Sequence, residues 1–256
     1  MKTRIIYEDD QVIVCHKPAG LATQTARVGQ PDVVTELKSY LTRQERNRTA
    51  SGAASGGRTK APAGAGRDKA PYLGVVHRLD QPVEGLLIFA KTKLAAARLT
   101  AQLSKGTMNK RYYAVVCGNP EADEGELVDY LAKDGEAGMA KVVNGREEVM
   151  PESKKAVLQY RVVNRISTPE ALAMLDIHID TGRFHQIRAQ MSHAGMPLLG
   201  DSKYGDDEVQ RKSIQLWVRN VALCAYKIGF DHPVTGRYME YEIQPEGSAF
   251  SFFSGN

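Results

Sequence analysis

The sequence predicts an α+β domain around a mixed, largely antiparallel β-sheet. Short β-branched or aliphatic runs recur along the 256 residues, few segments carry helical periodicity, and no internal repeat is evident. A chain of this length is long enough for one large domain or two small ones and can bury a substantial core.

The elements follow in chain order. Arg4 to Tyr7 and Gln11 to His16 are strand-like runs around Glu8, Asp9 and Asp10, a hairpin signal, and Lys17-Pro18-Ala19-Gly20 ends the second run in a turn. Asp32 to Leu41 reads as a helix because Val33, Leu37 and Leu41 fall four apart behind Asp32 as the cap. From Asn47 to Ala70 the chain is rich in Gly, Ala and Ser and lacks the apolar groups needed to fix a conformation, so a flexible insertion is expected at about 45–70. Leu73 to Val76 and Leu86 to Ala90 read as two buried strands joined by a turn that includes Gln81, Pro82 and Gly85. Asp80 then falls at a strand end, and Arg78, two residues earlier, shares its side of the pleat.

Thr92 to Gly106 has an apolar helical face, with Gly106 as the C-cap. Lys110 to Cys117 reads as a strand that sends Tyr112 and Tyr113 to opposite faces, one into the core and the other free for the site. Short strands are expected at Glu126 to Leu131 and Ala140 to Val143, and a strand pair at Lys155 to Ile166 and Ala171 to Ile179 around a Ser167-Thr168-Pro169 turn. Phe184 to His193 has helical spacing, with Phe184, Ile187, Met191 and Ala194 on the apolar face. Arg188 lies at the edge of that face and needs an acid if it enters the core, since a buried unpaired guanidinium is very costly; Asp80 is the candidate. Gln210 to Arg219 is a helix or loop, followed by strands around Ala222 to Phe230 and Met239 to Ile243; the tail from Ser248 is unassigned.

The net charge of +4 is unevenly distributed. Between Arg43 and Lys69, seven basic residues face two acids, a balance of +5, so the remainder sums to −1. A concentrated basic segment suits contact with a polyanion. Cys15, Cys117 and Cys224 are odd in number and sit in apolar runs, which fits small buried residues in a reducing compartment. Neither Cys/His spacing for zinc nor a Gly-rich phosphate loop is present, so no metal and no cofactor are expected. No run approaches the roughly 18 apolar residues of a membrane span, and the start lacks a signal-peptide pattern. A cytoplasmic protein is expected.

Five separated stretches, IIYEDDQVIVCHKPAGL, VVHRLDQPVEGLLIFAKT, KRYYAVVCG, TGRFHQIRAQMSHAGMPLLGDSKYG and LCAYKIGFDHPVTG, resemble the motifs of the RluA-type pseudouridine synthases, in that family's order. The resemblance implies a pseudouridine synthase fold, a bent sheet with the active cleft across it, and cofactor-independent isomerisation of uridine in structured RNA. It implies Asp80 as the catalytic aspartate, Tyr112 as the tyrosine against the uracil ring and Arg188 as the partner of Asp80. It further implies that Arg78 fills the stack vacated by the flipped nucleotide, while Arg183, His185 and Gln186 belong to the RNA-binding motif. Two departures are visible: Val83-Glu84 replaces the common Thr-Ser, and His16 replaces the usual Asn before Lys17. The family's N-terminal S4-type RNA-binding module is expected to be absent. The implied substrate is a 23S-type rRNA or tRNA stem-loop, bound by a monomer. A non-catalytic RNA chaperone of the same fold is the alternative, and a carboxylate-dependent hydrolase would need a second acid beside Asp80.

Overall fold

The computed structural model describes residues 1–27, 29–52, 71–143, 152–167 and 171–253. Among these residues, eleven strands form one sheet: β1 (Arg4–Glu8), β2 (Val12–Lys17), β3 (Gly74–Val75), β4 (Glu84–Ala90), β5 (Asn109–Cys117), β6 (Glu124–Asp134), β7 (Met139–Val142), β8 (Lys154–Ile166), β9 (Leu172–Ile179), β10 (Leu223–Asp231) and β11 (Tyr238–Glu242). The helices are α1 (Val33–Gly52), α2 (Lys93–Lys105), α3 (Gln186–His193) and α4 (Asp207–Gln215), with a 3-10 turn at Ser248–Phe253.

The strand order is β1-β2-β4-β10-β5-β9-β8-β6-β7, with β3 added to β4 and β11 to β10. Every pairing is antiparallel except β4 with β10, so the fold is the mixed, largely antiparallel α+β sheet the sequence predicts. At the parallel pairing Gly85 faces Ala225 with φ +134°, and a Cβ there would lie 2.5 Å from the Ala225 nitrogen. Only glycine permits that approach. The register shifts in β1/β2, β10/β5 and β8/β9.

The central strands are buried on both faces, which is why β2 and β4 read as continuous apolar runs. Their residues alternate between two cores. Ile13, Cys15, Leu87 and Phe89 join one core with Val33, Leu37 and Leu41 of α1 and Ile187 and Met191 of α3. Val12, Val14, Leu86 and Ile88 join the other with Ala95 and Leu99 of α2 and Phe250 of the C-terminal turn. Tyr112 belongs to the first core, whereas Tyr113 points the other way and stacks on Tyr226 at 3.7 Å.

Helix ends obey local chemistry. Thr92 accepts from the Ala95 amide at the start of α2, Gly106 closes it in the left-handed region, and the Asp32 carboxylate accepts from Thr35 N at the start of α1. The helix α1 runs past Leu41 to Gly52. The segment TRQERNR contains no glycine or proline and several good helix formers, so the helix persists into what composition suggested was irregular. The rest of the expected insertion, 53–70, lies outside the described residues, as do 168–170 in the expected β8–β9 turn. Among the described residues no helix is long and apolar enough to cross a membrane.

Candidate active site

The HRLD segment is not a strand: β3 ends at Val75, β4 begins at Glu84, and residues 76–83 form a loop. Its backbone finds partners outside any ladder. Thr23 Oγ1 donates to the Leu79 carbonyl at 2.9 Å and accepts from the Leu79 amide at 3.2 Å. Gly20 N donates to the Gln81 carbonyl at 2.8 Å, and His77 Nε2 accepts from Ile88 N at 3.2 Å. Burial first, and then the Lys110 charge, pushes the His77 pKa down to about 3. The carbonyl of Asp80 accepts from Val83 N across a turn that contains Pro82. The loop is irregular yet fixed by these bonds.

Beneath it lies Lys17, which sequence reading treated only as part of a turn. Its side chain is fully buried, and Nζ donates to the carbonyls of Leu21 at 2.7 Å, Pro18 at 3.1 Å and Gln81 at 3.1 Å. Burial pushes its pKa down to about 7 against the opposing pull of Asp80 and Glu84. The turn after β2 therefore clamps the loop that carries Asp80.

Arg188, on α3, donates from Nη1 to Asp80 Oδ2 at 3.2 Å, as the sequence anticipated. Its stronger partner is Asp201. Nε and Nη2 bind the two Asp201 oxygens at 2.7 Å each in a bidentate fork. Asp201 is fully buried and also accepts from the amides of Lys203 and Tyr204. Arg188 is 3 % exposed, and its guanidinium lies 5.1 Å from the centre of the Tyr204 ring. The signal for Asp201 was an acid directly after the apolar PLLG run, inside a stretch already quoted. No sequence spacing linked it to Arg188.

His185 precedes α3 with φ +50° and a side chain that is 8 % exposed. Its Nδ1 bonds Tyr204 Oη at 2.9 Å, and its Nε2 lies 3.6 Å from Asp80 Oδ2. Burial lowers its pKa and the Asp80 charge raises it, with a net downward shift, which favours the neutral imidazole. The helix α3 thus starts after His185 and leaves Phe184 in the preceding turn. Tyr112 is 7 % exposed, and burial followed by the Asp80 charge raises its hydroxyl pKa, which keeps it protonated.

The remaining motif residues are dispersed. Arg78 is exposed and carries no ion pair to Asp80; the shared pleat that would have joined them does not form. Arg183 is exposed, with Nε donating to the Lys155 carbonyl at 2.9 Å. Gln186 is buried and braces the turn: Oε1 accepts from Thr181 Oγ1 and Arg183 N, and Nε2 donates to the Val157 carbonyl. Among the described residues no group of three or more His, Cys, Asp or Glu could hold a metal ion. The geometry supplies one partly exposed carboxylate, 25 % accessible, backed by a dry guanidinium and a protonated phenol.

The two departures from the family pattern meet in space. His16 Nε2 is 3.7 Å from Glu84 Oε2, both buried, and Glu84 accepts from the amides of Glu246 and Gly247.

Residues 11–193, more than half of the chain, match the family model described as RNA pseudouridylate synthase. The chain is 30% identical over 244 residues to the ribosomal large subunit pseudouridine synthase D of Zymomonas mobilis, covering 94% of this chain and 68% of that protein. It is 33% identical over 251 residues to an uncharacterized RNA pseudouridine synthase, YlyB, of Bacillus subtilis, covering 97% and 71%. In structure it resembles human RNA pseudouridylate synthase domain containing 4, with a TM-score of 0.68, 19% identity, and coverage of 98% and 92%, a likeness of fold. With the match spanning both Asp80 and Arg188, the chain belongs to the RNA pseudouridylate synthase family, in its RluA-type branch.

Proposed function

We propose that Asp80 is the carboxylate through which this RNA pseudouridine synthase isomerises uridine, in a large-subunit rRNA or tRNA stem-loop. The observation that carries the assignment is Asp80 Oδ2 at 3.2 Å from Arg188 Nη1, with the remainder of that guanidinium committed to Asp201. The reaction breaks the bond from N1 to C1′ and forms one from C5 to C1′; one proton leaves C5 and one arrives at N1, so nothing is consumed. A carboxylate held against a buried guanidinium suits either attack on the base or sugar or removal of a sugar proton.

Tyr112, buried and protonated, forms the apolar wall on which the uracil turns. The target base must leave its stack to reach Asp80, and Arg78, exposed on the same loop, fills the gap with its planar guanidinium. Arg183 meets the RNA backbone, His185 the flipped nucleotide, and Gln186 acts by bracing the turn that presents both. The names of several relatives point to large-subunit rRNA. The three free cysteines fit the reducing cytoplasm, where the protein acts as a monomer.

A hydrolase reading requires a second available acid. Asp201 is near, but it is fully buried with both oxygens on Arg188, so it cannot activate water. Mapping pseudouridine in total RNA from cells with and without this gene, then restoring wild type or Asp80→Asn, tests the assignment. Sites that vanish and return only with the wild type are expected; sites restored by Asp80→Asn would overturn it.

A further inference from the structure

A line of rings and charges leads from the surface to Asp80. The outermost ring is Phe184, a large apolar side chain 42 % exposed. Its inner face stacks on the His185 ring, with centroids 3.8 Å apart and planes 20° from parallel. His185 Nε2 in turn lies 3.6 Å from Asp80 Oδ2. The arrangement depends on His185 holding φ +50°, a left-handed backbone that non-glycine residues seldom adopt. The bond from its Nδ1 to Tyr204 Oη keeps the ring in place.

On the surface side, Lys133 near the end of β6 places Nζ 5.3 Å from the Phe184 centroid. Lys133 is exposed and its stem is long, so it is free to swing from the ring to an incoming anion. A cation over an exposed ring is a weak contact, whereas a nucleobase on an aromatic face is a stronger one, so an incoming base displaces the ammonium. A phenylalanine serving only to cover His185 would gain more by turning inward; this one leaves much of its ring in water beside the reactive carboxylate. An aromatic platform with a neighbouring cation is the chemistry that takes an unpaired nucleotide.

We propose that Phe184 and Lys133 form a stacking subsite for the nucleotide next to the flipped uridine, its base on the Phe184 ring and its phosphate met by Lys133. The subsite rests on the reading of Asp80 as the reacting carboxylate, because the stack ends there. It engages any base by its π-face, so it fixes the position of the flanking nucleotide more than its identity. By holding that nucleotide beside the loop, it keeps the strand splayed while the uridine enters.

The test uses full-length protein in an Asp80→Asn background, so that binding is read without turnover. The probe is a synthetic RNA hairpin whose loop uridine is flanked by 2-aminopurine on one side or the other. Fluorescence at one flank is expected to be quenched on binding and to stay bright with Phe184→Ala, while Phe184→Trp restores quenching. Affinity is expected to fall about 5- to 150-fold for Phe184→Ala, the range for loss of one stacked base. Phe184→Leu, which keeps apolar bulk without the π-face, should resemble Phe184→Ala. An abasic ribose at the stacked flank should erase the difference between Phe184 and its alanine variant. Lys133→Ala should lower the slope of log affinity against log salt by about one phosphate contact.

Unchanged fluorescence with every protein, equal affinities, or a Phe184→Ala defect that persists with abasic riboses at both flanks would overturn the subsite. The parent reading fails separately: it falls if an enzyme with Asp80 replaced still forms pseudouridine.

Discussion

Asp80 and Asp201 bind the same guanidinium, but one sits on the irregular loop 76–83 with a quarter of its side chain exposed, and the other has no exposure. Asp201 spends both oxygens on Arg188 and two backbone amides, whereas Asp80 takes one guanidinium nitrogen and has His185 nearby. The difference separates the holding of a charge from its use. A buried bidentate pair fixes Arg188, and the fixed cation then presents one hydrogen bond to a carboxylate that retains free lone pairs.

Removing the holder should therefore have a different outcome from removing the user. Asp201→Ala leaves Arg188 buried without its main partner, and a loss of about 3–5 kcal/mol of stability is expected by thermal or urea unfolding, since one half of a buried pair remains uncompensated. A variant as stable as the wild type would show that Asp80 alone can satisfy Arg188.

Lys17 sharpens the comparison from beneath the loop. Its amine titrates at about 7 in the folded protein and near its ordinary 10.5 when unfolded. Between those values the unfolded chain binds more protons, so the burial cost borne below pH 7 is relieved as pH rises. Stability should increase from pH 7 to 9, by at most about 1.4 kcal/mol per pH unit from this group. In Lys17→Met that increment should disappear, and turnover should fall because the Gln81 carbonyl loses its donor. Parallel stability curves for the two proteins would count against a buried, neutralising lysine.

A smaller effect is expected where the two departures from the family pattern meet. His16→Asn and Glu84→Ser should be non-additive in stability by about 0.5 kcal/mol or more, as contacting buried polar groups are; strict additivity would mean the 3.7 Å approach is incidental. Smallest in stability is Arg78→Ala. As an exposed residue it should shift unfolding by under about 0.5 kcal/mol, yet weaken RNA binding measurably; unaltered RNA affinity would remove Arg78 from the interface.

Legibility followed the range of the interactions. The strands β2, β4, β5 and β9, the Gly106 cap and the opposed Tyr112 and Tyr113 arise from alternation and local backbone chemistry, and all could be read. Asp80 and Arg188 were legible as a pair because a buried guanidinium demands an acid. Lys17, Asp201 and Tyr204 were not, because their roles come from the folded loops: Lys17 donates to Gln81, 64 positions away, and Asp201 differs from other surface-looking acids only once the fold sets its carboxylate on Arg188 and the amides of Lys203 and Tyr204. The strand assigned to Arg78 and Asp80 failed because Thr23 and Gly20 satisfy that backbone instead of a neighbouring strand. Likewise α1 outran its prediction because a polar, basic run is a good helix even without an apolar face.

The most direct measurement compares purified wild type, Asp80→Asn and Asp201→Asn for pseudouridine formation on the mapped RNA, with RNA affinity and unfolding temperature recorded on the same samples. Asp80→Asn is expected to lose turnover by about 10⁴-fold or more while melting and binding RNA as the wild type does, and Asp201→Asn to lose stability together with activity. Turnover retained by a folded Asp80→Asn protein would contradict the assignment of the reaction to this carboxylate.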